Sequence, residues 1–177
     1  TQAKTLFPYT TLFRSLSARG KDSIKNKDYF QTVFCPAVIH KKILHASRHA
    51  KNILIHLDCD KTILVHMKMT GHVMYGKYIY NKKENTWSPE KGQLSLEDRF
   101  NRFVHAVFTL DNGYHLVLCD MRKFAKVTLV TDGIQKELSA LGPEPLDSTH
   151  TAQEFIKNVT RYPNTYIKTA LLDQTVV

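Results

Sequence analysis

Asp120-Met121-Arg122-Lys123-Phe124 is the stretch around which the strands of this chain are arranged, because it separates two strand-like runs. Residues 114–119 alternate between apolar and polar positions as a half-buried strand does, and residues 126–130 form a second such run. A turn precedes the first run at Asp111-Asn112-Gly113, where the Asn-Gly pair favours a hairpin. A short connection between two strands therefore carries one carboxylate, two cations and an aromatic ring.

This pentapeptide has two interpretations. In the first, it is an ordinary hairpin connection in which Phe124 folds back onto the sheet and Arg122 pairs with Asp120. In the second, it contacts nucleic acid: the ring wedges between bases while the guanidinium donates hydrogen bonds to base edges or phosphates. A five-residue motif by itself favours the first interpretation.

Length and charge narrow the class of protein. The chain has 177 residues, which suits one domain, or one domain and the start of another. Twenty-five Lys and Arg against 16 Asp and Glu give a net charge of +9, which favours a polyanionic partner. No apolar run is long enough to span a bilayer, and no signal peptide is recognisable. We therefore expect a cytoplasmic protein without a membrane partner.

The three cysteines, Cys35, Cys59 and Cys119, are far apart in the sequence. They form no CxxC pair, so the sequence predicts neither a disulfide framework nor a zinc site within this chain. A reducing, intracellular setting fits this cysteine usage.

Hydrophobic periodicity predicts a β-rich domain followed by helices. Residues 52–57 and 62–69 alternate on either side of a turn and predict a hairpin. Residues 81–99 are polar and predict a long exposed loop, the most mobile part of the domain. Further on, Thr151 with Glu154 three positions later predicts a capping box that starts a helix.

Four segments follow from these patterns. Residues 1–36 are read as a poorly determined N-terminal segment and a candidate for non-native sequence. Residues 37–138 form the β-rich domain, residues 139–150 a linker, and residues 151–177 open a helical domain.

Five motifs in order now resemble one family, the bacterial formamidopyrimidine-DNA glycosylases, which excise oxidised purines such as 8-oxoguanine. The resemblance covers about residues 37–177, and it favours the nucleic-acid interpretation of the pentapeptide. The motifs are Arg48-His49-Ala50-Lys51, His66-Met67-Lys68-Met69-Thr70-Gly71, Asp120-Met121-Arg122-Lys123-Phe124, Leu141-Gly142-Pro143-Glu144-Pro145-Leu146, and Ile167-Lys168 with Leu171-Leu172-Asp173-Gln174.

The resemblance implies an α+β fold: an antiparallel two-layer β-sandwich with flanking helices, then the start of an all-α helix–two-turn–helix domain that binds DNA. It implies a monomer that acts on double-stranded DNA carrying an oxidised purine. It implies no cofactor within this chain; a structural zinc belongs to a C-terminal finger of the family that these residues do not include.

The resemblance also assigns DNA-binding residues. Met69, Arg122 and Phe124 match the trio that fills the void left by a flipped base: Phe124 wedges beside the orphaned partner, Met69 occupies the space, and Arg122 hydrogen-bonds the orphan cytosine. For Met69 the alternative is sheet core, because it continues the apolar alternation of residues 62–69.

Two lysines complete the set. Lys51 matches a catalytic-site lysine beside the scissile phosphate, and Lys168 matches one that contacts the DNA backbone near the lesion. Their alternatives are a solvated strand-end lysine and an exposed helix charge. The sequence departs from the family at Lys68 and Ala125, where glycine is usual.

The largest departure concerns catalysis. The family nucleophile is an amino-terminal proline followed by glutamate, and this sequence begins Thr1-Gln2. We therefore expect a glycosylase and abasic-site lyase by family, with these 177 residues inactive alone. One alternative is a non-catalytic damaged-DNA-binding module. Another is the sister family that acts on oxidised pyrimidines, against which the Met, Arg and Phe trio argues.

Overall fold

The computed structural model describes residues 4–7 (backbone only), 26–131, 138–139, 141–144 and 147–176. These residues divide into two compact units. One contains the described residues up to Ser47 and those from Lys51 to Thr131; the other contains Arg48–Ala50 and the described residues from 138 onward.

Antiparallel strands dominate the first unit, as the sequence predicts. The strands within the described residues are β1 (Lys4–Phe7), β2 (Lys42–His49), β3 (Asn52–Leu57), β4 (Lys61–His66), β5 (His72–Gly76), β6 (Tyr78–Asn81), β7 (Thr86–Pro89), β8 (Val104–Leu110), β9 (His115–Cys119) and β10 (Lys126–Thr131). Eight of them join in the order β10-β4-β3-β2-β1-β8-β9-β5, and β6 pairs with β7 as a separate ribbon. The short strand β1 pairs with β2 on one side and with β8 on the other, so it joins the two halves of the large sheet.

The predicted hairpins are confirmed. Strands β3 and β4 pair antiparallel with Ile55 opposite Ile63, which places their apolar side chains on a common face. At the turn between β8 and β9, the Gly113 amide donates to the Leu110 carbonyl at 3.0 Å. Gly113 has φ 75°, a left-handed conformation that glycine adopts at little steric cost.

A short helical segment, Lys27–Val38, seals the core beneath both halves of the sheet. It consists of α1 (Lys27–Tyr29), a π-helical turn (Phe30–Phe34) and α2 (Cys35–Val38). Phe30, Phe34 and Val38 recur every four residues and are buried with side chains from β3, β4, β8, β9 and β10 in one cluster. Residues 26–36 are thus an ordered part of the domain.

The prediction that residues 1–36 are poorly determined is therefore wrong for residues 26–36. Within residues 26–36, the Phe30 and Phe34 rings are buried in the core and Tyr29 packs against it, and these rings sit among Lys, Asp, Gln and Thr that read as solvated surface. Strand β1 also lies within the predicted segment. Residues 1–3 and 8–25 lie outside the described residues.

The prediction of one long loop over residues 81–99 is also wrong. Strand β7 pairs with β6, and the Tyr80 and Trp87 rings lie 5.3 Å apart across the ribbon. A 3₁₀ turn follows at Leu94–Leu96, where the Leu96 side chain is buried. The sequence hides this ribbon because its turn, residues 82–85, is highly polar and its strands are only four residues long.

The second unit contains helices α3 (Ala152–Thr160) and α4 (Ile167–Leu172). The predicted capping box is confirmed: the Glu154 amide donates to Thr151 Oγ1 at 3.3 Å, and the Thr151 amide donates to Glu154 Oε2 at 2.9 Å. The helix–two-turn–helix assignment and the predicted domain boundaries stay predictions. No helix in the described part of the chain is long and apolar enough to cross a membrane.

Candidate nucleic-acid interface

The structure brings Met69, Arg122 and Phe124 together, although 53 positions separate the first two in the sequence. Arg122 Nη1 donates to Met69 Sδ at 3.3 Å, and the Arg122 guanidinium carbon lies 5.0 Å from the centre of the Phe124 ring. Met69 is 69% exposed and Phe124 50% exposed. Two large apolar side chains thus present themselves to solvent on either side of a cation, a composition typical of binding surfaces.

Both structural alternatives for these residues are wrong. Strand β4 ends at His66, so Met69 lies beyond the sheet and outside its core. Asp120 accepts a hydrogen bond from the Arg122 backbone amide, and the guanidinium turns instead toward Met69. Phe124 is 50% exposed, so its ring is not buried in the sheet.

Asp120 organises the loop that carries Arg122 and Phe124. Its carboxylate is 1% exposed; Oδ1 accepts from the Thr70 hydroxyl and from the Arg122 amide at 3.1 Å, and Oδ2 accepts from the Ala125 amide at 2.7 Å. Burial pushes the pKa of Asp120 upward, but hydrogen bonds from Ala125, Thr70, Arg122 and Phe124 outweigh it and hold the pKa below its usual value. The group is therefore ionised at neutral pH.

Thr70 connects this loop to the one that carries Met69. Its hydroxyl donates to Asp120 and also accepts from the Arg122 amide at 3.2 Å. Because Thr70 directly follows Met69, the Asp120–Thr70 pair, called the latch below, fixes the backbones of both loops against each other. The side chains of Met69, Arg122 and Phe124 are therefore carried by loops that the latch holds in place.

The loop backbones adopt unusual conformations at two lysines. Lys68 has φ 55° and Lys123 has φ 60°, in the left-handed region of backbone conformations that residues other than glycine rarely adopt. At Lys68 the family usually has glycine, so this chain keeps the glycine-like backbone with a bulkier residue. The second departure, Ala125, is accommodated by Gly71: a Cβ on Gly71 would lie only 2.7 Å from the Ala125 Cβ.

Gly71→Ala is expected to lower the free energy of unfolding by about 1–3 kcal/mol, because the added methyl overpacks the junction between the two loops. It would lie 2.5 Å from the Met67 carbonyl oxygen, a backbone atom that cannot rotate away. Urea unfolding measures the change. Gly113→Asn is the control, because no atom lies within 4 Å of that site and Asn tolerates the left-handed conformation. Equal midpoints for wild type and Gly71→Ala would contradict this packing.

Lys51 lies in the turn between β2 and β3, beside the end of β4. Its carbonyl accepts from the Met67 amide at 3.4 Å, two residues before Met69, and its side chain is exposed. The pKa of His66 is lowered by burial first and then by the charges of Lys68 and Lys51. Three lysines, Lys51, Lys68 and Lys126, therefore place positive charge at this end of the sheet, which favours an anionic partner.

His66 itself has a local role. Its Nδ1 accepts from the Lys68 amide at 3.1 Å, so the imidazole caps the turn that leads to Met69.

Lys168 belongs to the second unit, where it lies exposed in α4. Its proposed contact with DNA stays a prediction. Among the described residues, no three His, Cys, Asp or Glu side chains are grouped to hold a metal ion.

The sequence did not reveal that Thr70 and Asp120 hold the interface together. Each is a polar residue in a predicted break between strands and reads as loop surface. Their role depends on a contact between residues 50 positions apart, and local sequence patterns do not predict such contacts.

Known proteins resemble this chain in sequence and in fold. The family described as formamidopyrimidine-DNA glycosylase N-terminal domain matches residues 10–127. The formamidopyrimidine-DNA glycosylase of Pelotomaculum thermopropionicum is 35% identical over 147 residues, covering 81% of this chain and 46% of that protein. That of Herpetosiphon aurantiacus is 33% identical over 146 residues, covering 82% and 46%. The chain thus spans about half the length of the curated relatives it matches.

Two solved structures share the fold. The Lactococcus lactis formamidopyrimidine-DNA glycosylase bound non-covalently to DNA containing an AP site superimposes with a TM-score of 0.66 at 18% identity, covering 98% of this chain and 56% of that one. The same protein in complex with DNA containing Fapy-dG gives the same TM-score, identity and coverage.

Proposed function

The chain belongs to the formamidopyrimidine-DNA glycosylase family, and from this premise we propose that it acts in base-excision repair by binding duplex DNA that carries an oxidised purine. The observation that carries the proposal is the exposed cluster of Met69, Arg122 and Phe124, whose two loops are held together by the latch. The net charge of +9 supports a polyanionic partner.

Base flipping explains why these three side chains belong together. Moving a damaged base out of the stack leaves a hole and an unpaired partner base. Phe124 offers a flat apolar face that wedges beside the partner, and Met69 offers an unbranched, polarizable side chain that fills an irregular void. The Arg122 guanidinium lies between them and carries donors that match the acceptor groups of a cytosine edge.

We assign base excision and cleavage at the resulting abasic site to the whole protein. Lys51 contributes a compact, strongly hydrated positive charge suited to the scissile phosphate. Lys168 contributes a backbone contact close to the lesion. The structural zinc implied for a C-terminal finger belongs to the whole protein in the same way.

Arg122→Ala is the test of this function. Its binding is measured on duplexes that carry a tetrahydrofuran abasic site opposite C, A, G or T. Loss of the base-edge hydrogen bonds should weaken binding opposite cytosine by about 5- to 150-fold, the equivalent of about 1–3 kcal/mol, and change the other duplexes much less.

Lys123→Ala is the matched control, because it removes one positive charge from the same exposed loop. It should weaken binding to all four duplexes alike. Equal weakening of all four by Arg122→Ala would make Arg122 a phosphate ligand. Absence of binding by the folded wild type at low salt would overturn the proposed function.

The alternative function is a damaged-DNA-binding module without catalysis. It is favoured by one observation: the described residues assemble the contact set, while the one amine among them that the resemblance assigns to the reaction, Lys51, is exposed and forms no ion pair with a described carboxylate. Covalent trapping, described in the Discussion, separates the two functions.

A further inference from the structure

The pair Asn112-Gly113, which forms the turn between β8 and β9, has a chemistry of its own. It is the one place in the sequence where asparagine is followed by glycine. The backbone nitrogen after an asparagine can attack the side-chain amide carbon, and a side chain on the attacking residue hinders this ring closure. Glycine has no Cβ and a freely rotating backbone, so it hinders the attack least. The sequence alone therefore marks Asn112 as chemically labile.

Water reaches this pair in the folded protein. Asn112 and Gly113 are both exposed, and no atom lies within 4 Å of the position that a Cβ on Gly113 would occupy. Solvent is needed twice in the reaction, because a solvent base removes the Gly113 amide proton and water later opens the ring. Burial therefore does not protect Asn112, and any protection comes from hydrogen bonds.

Hydrogen bonds hold both of the reacting groups. The Gly113 amide, whose nitrogen is the attacking atom, donates to the Leu110 carbonyl at 3.0 Å. Asn112 Oδ1 accepts from the Tyr114 amide at 3.1 Å, and Asn112 Nδ2 donates to the Tyr75 hydroxyl at 3.0 Å. The side-chain amide is thus bonded through its oxygen and its nitrogen, and the proton of the attacking nitrogen is engaged. These bonds oppose ring closure.

Tyr75 is the partner that comes from another strand. It lies in β5, 37 positions before Asn112, and β5 pairs with β9. Its ring stacks on the Tyr114 ring, with centroids 5.1 Å apart and 11° between the planes. Lys77 Nζ in turn lies 5.6 Å from the centre of the Tyr114 ring. The stacked pair holds the Tyr75 hydroxyl at the turn, where it accepts from the Asn112 side chain.

We propose that Asn112 is a site of spontaneous deamidation that the β8–β9 hairpin keeps slow, with Tyr75 as the residue that holds its side chain. In the reaction, the Gly113 nitrogen loses its proton to solvent base and forms a bond to Asn112 Cγ. The bond from Cγ to Nδ2 breaks, and Nδ2 leaves as ammonia with a proton returned by solvent. Water then opens the cyclic imide at either carbonyl, which leaves aspartate or isoaspartate.

Both products change the turn. Aspartate at this position adds a negative charge directly after Asp111, and it has no amide to donate to the Tyr75 hydroxyl. Isoaspartate inserts the side-chain carbon into the backbone, so the hydrogen bond from Gly113 to Leu110 loses its geometry. The hairpin therefore protects the residue on which its own turn depends.

Tyr75→Phe tests the proposal, because it removes the hydroxyl and keeps the stacked ring. Wild type and variant are incubated at mildly alkaline pH, both folded and unfolded in urea. Peptide mass spectrometry follows the mass gain that replacement of NH₂ by OH produces at residue 112. Folded Tyr75→Phe should react about 2- to 12-fold faster than folded wild type, the change expected for one lost hydrogen bond. The two should react at the same rate in urea.

The folded wild type should react at least about tenfold more slowly than the unfolded wild type, because several hydrogen bonds hold the turn. Asn85 is the internal control, because it is also exposed in a hairpin turn but precedes Thr86, whose branched side chain hinders the attack. It should react much more slowly than Asn112 in urea. Gly71→Ala is the control for global stability, because its strain falls on Met67 and Ala125 and not on this turn. When folded, it should keep the wild-type rate at residue 112.

The contrary outcomes overturn the proposal one part at a time. If residue 112 gains no mass in urea, or if Asn85 reacts as fast there, Asn112 is not the labile site. Equal rates for folded and unfolded wild type would show that the hairpin gives no protection. If folded Tyr75→Phe reacts no faster than wild type, or no faster than Gly71→Ala, Tyr75 does not hold the side chain. The proposed function does not enter any of these measurements.

Discussion

Asp120→Ala is expected to lower the free energy of unfolding by about 2–4 kcal/mol, a large effect for one substitution. The change leaves the Thr70 hydroxyl and the Arg122 and Ala125 amides without their acceptor. Ala125 is buried, so water does not readily replace the lost carboxylate. Urea unfolding at neutral pH measures the loss.

Acid should reduce this difference in unfolding free energy between wild type and variant. The pKa of folded Asp120 lies below its ordinary value, so the carboxylate stabilises the fold above that ordinary value and loses this contribution as pH falls through the lowered pKa. The gap in unfolding free energy should therefore shrink in acid. Glu90→Ala, which removes an exposed carboxylate, should change stability by no more than about 0.5 kcal/mol. A gap that is small at neutral pH, or independent of pH, would show that the latch does not hold the loops.

A polypeptide of these 177 residues is expected to leave 8-oxoguanine in DNA. The family route needs a secondary amine that attacks the sugar and a neighbouring carboxylate that moves protons. The Lys51 amine, which the resemblance assigns to the reaction, is primary and exposed, and it has no ion-paired carboxylate among the described residues. Misplacement of reacting groups alone can account for about 7–11 kcal/mol of barrier.

Borohydride trapping measures this directly, because a Schiff base between protein and sugar becomes a stable adduct on reduction. An 8-oxoguanine duplex is the substrate, and a full-length relative is the positive control. An abasic-site duplex is run beside it, where Lys51 could give slow adventitious cleavage. An adduct on 8-oxoguanine at a rate near that of the control would contradict the expectation, and its loss in Lys51→Ala would identify Lys51 as the nucleophile.

Local sequence predicted those parts of the fold that local forces determine. Alternation located β3 and β4, the Asn112-Gly113 pair located a hairpin turn, and Thr151 with Glu154 located a helix start. The motifs predicted Met69, Arg122 and Phe124 as one group, and the structure brings these residues together.

The parts that sequence could not predict depend on distant contacts. Phe30 and Phe34 sit in a polar segment, and only the core contacts of the folded chain show that they are buried. The latch joins Thr70 to a carboxylate 50 positions away. Asn101 reads as one polar residue in a charged loop, yet it is the buried centre of that loop because His72 and Leu96 pair with its side chain. Contacts between residues so far apart in the chain produce no periodic pattern in the sequence.

The exposure of the Met69 side chain has a chemical consequence. An exposed methionine side chain, such as that of Met69, is readily converted by oxidants to the sulfoxide, which is polar and chiral. The Arg122 donor that now meets a weak sulfur acceptor would then meet a strong oxygen acceptor, and the apolar tip would be lost. The cluster proposed to recognise oxidised DNA thus contains a methionine that can itself be oxidised.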